Sequence, residues 1–383
     1  MAPSTDNRPK LAWIQALRGI AVFLVVLTHA RYSFSDTPAW PLAEQLLRPG
    51  AMGVDLFFVI SGFIMVYTTR RLAGTPGEAL DFLVRRFARI WPLYAVVTLI
   101  YLTVTNKGLA WLTDWPQLKN LLLSLSFQPV NLEHPPFFDV TLPLGWTLNF
   151  EMYFYLVFGL CLLARRQRLL LLAGWIALTV LAIPALKRGL TLDVLTNFRF
   201  SLAYLNLVTS PIILEFLAGA AIGWLYLQDW FVLRSQAVAR HLVLLAVCGA
   251  VWGIWNGWLA NFHGPTQWGA VVALTVLALA LAAKTVELAP PAVLVWLGTI
   301  SYSLYLTHTT VLLLVNRGVE AIQGDVHGWS HLILVTALAL SVGAAVHHYL
   351  EQRLSELTAA ALRRAGAALR GRTGVKPAAA PLP

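Results

Sequence analysis

Several ionisable residues sit inside segments that are otherwise apolar, at spacings that could do chemistry. Arg18, in Leu17-Arg18-Gly19, and His29, in Leu27-Thr28-His29, lie eleven residues apart in one such segment. At about 100° per residue, eleven steps return to within about 20°, so both share a helix face, about 16 Å apart along the axis. One stripe thus carries a cation at one end and a base at the other. Asp55 falls in Gly53-Val54-Asp55-Leu56-Phe57-Phe58 and Glu151 in Trp146-Thr147-Leu148-Asn149-Phe150-Glu151. Ser301, Tyr305 and His308 follow i, i+4, i+7 spacing and share another face. In Arg85-Arg86-Phe87-Ala88-Arg89, Arg85 and Arg89 share a face at i, i+4, with Arg70 and Arg71 close by in sequence, a grouping suited to phosphate. Each group has a plainer reading: Arg18 snorkels to headgroups, His29 packs, and the arginines mark topology. Glu215, nearer mid-span, reads as a structural hydrogen-bonding anchor.

These residues need helices to position them, and the composition says which kind. The chain has 383 residues, 58% hydrophobic and 12% charged, against roughly 25% charged in an average soluble domain. Apolar runs of about 20 residues recur and leave no room for a separate water-soluble core. Spans are expected near 12–31, 52–69, 90–106, 146–164, 168–186, 208–227, 240–258, 267–283, 292–316 and 331–349. The fold class is therefore all-α, a polytopic membrane protein of about ten helices. The first span, preceded by Arg8 and Lys10, carries no small-residue cleavage signal and is expected to be retained.

Most Lys and Arg fall in alternate loops, which places both termini in the cytoplasm. The net charge of +10 then serves topology, and no nucleic acid is expected. Lys187, Arg188 and Arg199 are the exception, on the expected outer side. With this orientation His29, Asp55, Glu151 and His308 reach one outer level from four helices. An intramembrane charge costs about 2.5 to 3.5 kcal/mol on insertion scales, so four at one depth mark a functional site. An anion is expected below, on the arginines, and a reacting group above. Cys161 and Cys248, both in apolar runs, offer neither a disulfide framework nor a thiolate metal site, and no metal is expected. Residues 107–145, with Trp111, Trp115 and His134-Pro135-Pro136, form a long outer loop suited to an interfacial element. Residues 1–350 form one transmembrane domain, and 351–383 a cytoplasmic basic tail rich in Ala, Arg and Pro, disordered after 360 and able to touch membrane lipid.

Taken together, the segments resemble the membrane acyltransferase 3 family. The matching pieces are Arg18 and His29 with ten residues between them, Gly53 to Phe63, Arg85-Arg86-Phe87-Ala88-Arg89-Ile90-Trp91-Pro92, Trp146-Thr147-Leu148 with Glu151, and Ile300 to His308. They run in the family's order through residues 11–350. Phe63-Ile64-Met65-Val66, Arg89 to Tyr94 and Trp146 to Met152 are most similar to the exopolysaccharide-production acyltransferases. The chain departs from the pattern at Ile14-Gln15-Ala16-Leu17, where many members have an Asp before a Gly, and after Glu351, where a Pro is often found.

The resemblance implies transfer of an acyl group, commonly acetyl from acetyl-CoA, to a sugar hydroxyl of an envelope or secreted glycan at the inner membrane. Under it Arg85, Arg86 and Arg89 would hold the CoA phosphates, and the thioester would rise past Arg18. His29 would act as general base, its tautomer held by Asp55 or Glu151. Ser61, Ser301 and Tyr305 would be oxyanion candidates, and His308 and Trp146 substrate contacts. The acceptor would be a glycan or lipid-linked glycan, with polysaccharide export machinery as a further partner. A relay to a soluble extracytoplasmic domain would need a separate protein. Direct transfer and an acyl-histidine intermediate both remain open. Two other classes fit parts of the pattern. A proton-coupled transporter or flippase would use His29, Asp55, Glu151 and His308 as a relay. A glycan-binding scaffold would line a sugar path with the 15 Trp.

Overall fold

The computed structural model describes residues 11–257, 261–323 and 327–372. Among them every expected span is mainly helical, with the span 208–227 interrupted at 209–212. The chain runs through α1 (Ala12–Ala30), the short α2 (Trp40–Leu47), α3 (Gly53–Thr69), α4 (Pro76–Thr105), α5 (Trp115–Leu125) and α6 (Gly145–Cys161). It continues through α7 (Arg168–Ile176), a π-helical stretch at Ala177–Ala182, α8 (Ile183–Arg188), α9 (Ala203–Val208) and α10 (Ile213–Tyr226). The last elements are α11 (Gln236–Trp255), α12 (Trp268–Ala282), α13 (Ala292–Gln323), α14 (Trp329–Val346), a second π-helical stretch at His347–Glu351, and α15 (Gln352–Arg372). Six helical runs among the described residues are long and apolar enough to cross a membrane, with α10 and α12 as shorter apolar helices. One of the six, Gly145–Lys187, breaks at Arg165 (φ 52°, ψ −110°), between the fourth and fifth expected spans.

Two differences from the expected elements matter. The third helix begins well before 90: Thr75 and Glu78 form a reciprocal capping box around Pro76, so α4 starts there and Arg85, Arg86 and Arg89 lie well inside the helix and not at its opening turn. The expected disordered tail is instead helical through Arg372, as α15, which packs on α4. Asp81 on α4 takes Arg363 of α15 at 2.9 Å. Residues 373–383 of that tail lie outside the described residues.

Close helix crossings set the frame of the site. A Cβ added to Gly298 would collide with the Gln15 carbonyl oxygen, and one on Gly19 with that of Leu294, so α1 and α13 pack backbone to backbone. Gly62 and Gly219 do the same for α3 and α10, against the carbonyls of Phe216 and Val59. Small residues at such crossings are how membrane helices gain close van der Waals contact when lipid already solvates their apolar faces. The first crossing sets Arg18 opposite Ser301; the second backs α3, which brings Asp55 and Ser61 inward. Phe216 of α10 packs between Phe58 of α3 and Phe154 of α6, its ring centroid 4.5 and 4.7 Å from theirs.

Candidate active site

Inside the bundle two chambers meet at a partition. The one nearer the arginine-rich end of the helices, here the basic face, is narrow, about 80 Å³. Its walls come from α1, α3, α4, α6 and α13 and include Arg18, Ser61, Arg86, Arg89, Glu151 and Tyr302. The one toward the opposite face is wider, about 500 Å³, and is lined by His29, His263, Trp146, Phe137 and Trp268 among others. Val54 and Tyr305 line both and form the partition.

In the narrow chamber Arg18 donates to the Ser301 hydroxyl at 2.8 Å and to Gln15 Oε1 at 3.2 Å. Tyr155 O–H donates to Glu151 Oε1, and so does Ser61 at 3.2 Å. Tyr302 O–H caps the Ile90 carbonyl at 2.6 Å, beside the turn that carries Arg86 and Arg89. Three guanidinium groups and one carboxylate share this wall, a net cationic lining that suits an anion. Of the three expected phosphate ligands, Arg86 and Arg89 face the chamber. Arg85 does not line it: it is about half exposed and paired with Asp81. The pair on the chamber wall is thus i, i+3 and not the expected i, i+4.

At the wide chamber the histidines form two separate systems, with His308 fully buried behind His29 and not itself on the wall. His308 Nδ1 bonds the Leu304 carbonyl at 3.1 Å, and a carbonyl only accepts, so this nitrogen carries the proton. Its Nε2 then accepts from His29 Nδ1, at 3.3 Å, a proton shared with the Val25 carbonyl at 2.9 Å. That leaves the lone pair of His29 on Nε2. His29 and His308, expected at one level, therefore touch directly, and it is the Val25 carbonyl and His308, not Asp55 or Glu151, that bond the His29 ring.

Both carboxylates serve elsewhere. Asp55 is fully buried and accepts from His263 Nδ1–H at 2.7 Å and from the Gly264 amide at 3.0 Å. Glu151 lies in the narrow chamber, not at the level of His29. Glu215 is buried beside Asp55, where a Cβ on Gly269 would collide with its carboxyl oxygen. The rings of Trp268, Phe262 and Trp146 surround His263 at 5.2, 5.3 and 5.5 Å, mostly edge on. Trp146 thereby lines the wide chamber.

His263 is the residue the sequence reading missed. It lies in the loop before α12, outside any span, and its one sequence signal was indirect: a buried Asp55 needs a donor that neither α1 nor α13 supplies. At the partition Thr147 donates to the Leu144 carbonyl at 3.0 Å and its oxygen lies 3.0 Å from Tyr305 O–H, so Tyr305 donates to it. Among the described residues no three His, Cys, Asp or Glu side chains gather as a metal site.

An all-helical membrane domain with buried cations on one side of a partition and buried imidazoles on the other offers room for two different ligands, one on each side. The chain belongs to the acyltransferase 3 family, whose model, described as an acyltransferase domain, matches residues 11–348. It is a membrane acyltransferase. It is 32% identical to the exopolysaccharide production protein ExoZ of Rhizobium meliloti (strain 1021), over 84% of this chain and 94% of the relative. It is 26% identical to the acyltransferase MdmB of Streptomyces mycarofaciens, over 92% of each. It is 23% identical to the peptidoglycan O-acetyltransferase OatA of Listeria monocytogenes, over 86% of this chain and 54% of the relative. No solved structure matches the chain.

Proposed function

We propose that the protein is an inner-membrane O-acyltransferase that moves an acetyl group from acetyl-CoA, bound from the cytoplasm, to a hydroxyl of an exopolysaccharide or related envelope glycan. The observation that carries this reading is the division of labour across the Tyr305 partition, with cations on one side and oriented imidazoles on the other. The names of the relatives support a glycan acceptor and an acetyl group. The basic face is taken as cytoplasmic, and the CoA phosphates rest on Arg86 and Arg89, with Arg18 and Ser301 further along the path.

The glycan hydroxyl enters the wide chamber among Trp146, Phe137 and Trp268, where rings can lie against sugar faces. His29 Nε2 takes the hydroxyl proton as the oxygen attacks the thioester carbonyl. The tetrahedral intermediate then collapses with loss of the CoA thiolate, which recovers that proton. His263, its Nδ1–H tied to Asp55, offers Nε2 as an acceptor to the sugar and holds the hydroxyl in place. The oxyanion candidates separate by reach. Ser61 already donates to Glu151, and Ser301 lies with Arg18, about 16 Å below His29 by helix rise. Tyr305, one turn from His308, is the hydroxyl at the right level, by exchanging its bond to Thr147 for one to the oxyanion.

The test uses purified protein in nanodiscs with radiolabelled acetyl-CoA and a glycan extract containing a verified acceptor. Label is expected in glycan with the wild type and not with His29→Ala. Neither donor turnover nor label transfer, across several acyl-CoAs, would overturn the proposed acyl-CoA donor.

A further inference from the structure

A second cationic cavity, of about 1220 Å³, lies on the basic face outside the active site. It is walled by the end of α3, the turn between α6 and α7, and the adjoining faces of α7 and α10. Arg70, Arg165, Arg166 and Arg168 line one half; the other is apolar and includes Leu170 and Trp224. No Asp or Glu lines it, and none of these four arginines makes an ion pair among the described residues.

The cationic half is held in place by the protein. Arg168 donates to the Thr69 carbonyl at 2.9 Å, bridging the α6–α7 turn to the end of α3. Arg70 donates to the Tyr67 carbonyl at 2.6 Å, and its guanidinium lies 4.2 Å above the Tyr67 ring. Gly74, at φ 81°, closes the clasp: a Cβ there would collide with the Leu162 carbonyl oxygen. A guanidinium has five N–H donors, so each arginine retains several after these bonds. The apolar half turns outward, with Leu170 and Trp224 75% and 45% exposed on the bundle's exterior.

We propose that this groove binds one anionic phospholipid of the leaflet on the basic face, its phosphate among the four arginines and an acyl chain along α7 and α10. The chemistry selects this occupant. A soluble nucleotide or phosphate leaves the apolar half open to water, whereas a zwitterionic lipid leaves guanidinium charge unneutralised. The chain's own basic C-terminal segment would be repelled. The groove shares α3 with the active site but no lining residue with either chamber, so the proposal stands apart from the assigned reaction.

The test is native mass spectrometry of the full chain in detergent, titrated with phosphatidylglycerol or phosphatidylcholine. One phosphatidylglycerol is expected to be held at activation energies that strip phosphatidylcholine. Arg165→Gln with Arg166→Gln removes two cations that no structural hydrogen bond employs, and should weaken retention by about tenfold or more, at about 1 kcal/mol per charge. Arg234→Gln with Arg240→Gln, an equal charge loss elsewhere on the chain, should leave retention unchanged. Trp224→Ala, which keeps every charge, should weaken both lipids' residence and serves if the arginine variant folds poorly. Equal loss in the groove and control variants, equal retention of the two lipids, or displacement of the lipid by coenzyme A would each overturn the proposal.

Discussion

Asp55→Asn is the substitution that best separates the two histidine systems. The side chains are nearly isosteric, and the amide oxygen can keep the Gly264 N–H, now 3.0 Å from Oδ1. The amide nitrogen then meets His263 Nδ1 where Oδ2 accepted at 2.7 Å. Two donors cannot share that contact, so His263 must move its proton to Nε2, the nitrogen offered to the acceptor. A charge-assisted hydrogen bond is worth about 1.5–3 kcal/mol, and each 1.36 kcal/mol is tenfold in rate. Transfer should therefore fall about 10- to 150-fold, short of the loss from removing a general base outright. The assay is label transfer from acetyl-CoA to glycan, run beside thermal unfolding to confirm that the variant folds. Because Asp55 acts through His263, Asp55→Asn combined with His263→Gln should be no slower than the slower single variant. Losses that add in full, or Asp55→Asn at the wild-type rate, would refute the dyad's role.

Other consequences follow from the same geometry. His29→Ala should reduce transfer by about 10²–10⁴-fold, the usual worth of a general base, with membrane insertion intact. His308→Ala, which leaves His29 Nδ1 only the Val25 carbonyl as acceptor, should cost less than His29→Ala, read in the same assay. Arg86→Ala with Arg89→Ala should raise the acetyl-CoA concentration needed for half-maximal rate, whereas Arg85→Ala, off the chamber wall, should leave it unchanged; the donor titration checks both. Gly298→Val should force α1 from α13 and destabilise the fold by about 1–3 kcal/mol, seen as a lowered unfolding temperature in detergent.

The helices were legible because a bilayer imposes a length: an apolar run of about 20 residues has few other structures open to it. The pairing of Ser301, Tyr305 and His308 on one face was legible for the same local reason, since i, i+4, i+7 is a property of a single helix. What one helix cannot encode is its rotation against its neighbours. Arg85 with Arg89 and Arg86 with Arg89 each define a face of α4, and only packing against α6 and α13 selects the second. Asp55 was expected beside His29 by depth, but depth leaves the angular position free, and α3 turns that carboxylate toward the loop before α12. That loop's place depends on the whole bundle, so His263 stood outside every pattern a span-by-span reading can test. The disordered tail was expected from its Ala, Arg and Pro content, yet Gln352 to Arg372 is mostly good helix-forming sequence, and contact with α4 gives it a surface to fold against.

The partition formed by Val54 and Tyr305 also bears on the membrane's ability to hold a voltage. A protein that admits one substrate from each face has opened most of a pore, and buried arginines and histidines along it are natural stepping stones for protons. Moving one charge through 100 mV releases about 2.3 kcal/mol, so a loose joint between the chambers would short the membrane with or without catalysis. Tyr305, bonded to Thr147 and with the Phe57 ring 6.0 Å away, stands between the two chambers. Under the proposed reaction, what has to cross it is only the end of a thioester, slim and uncharged. On that proposal the acyl group, and not the sugar, is the part of the reaction that can pass without letting ions through.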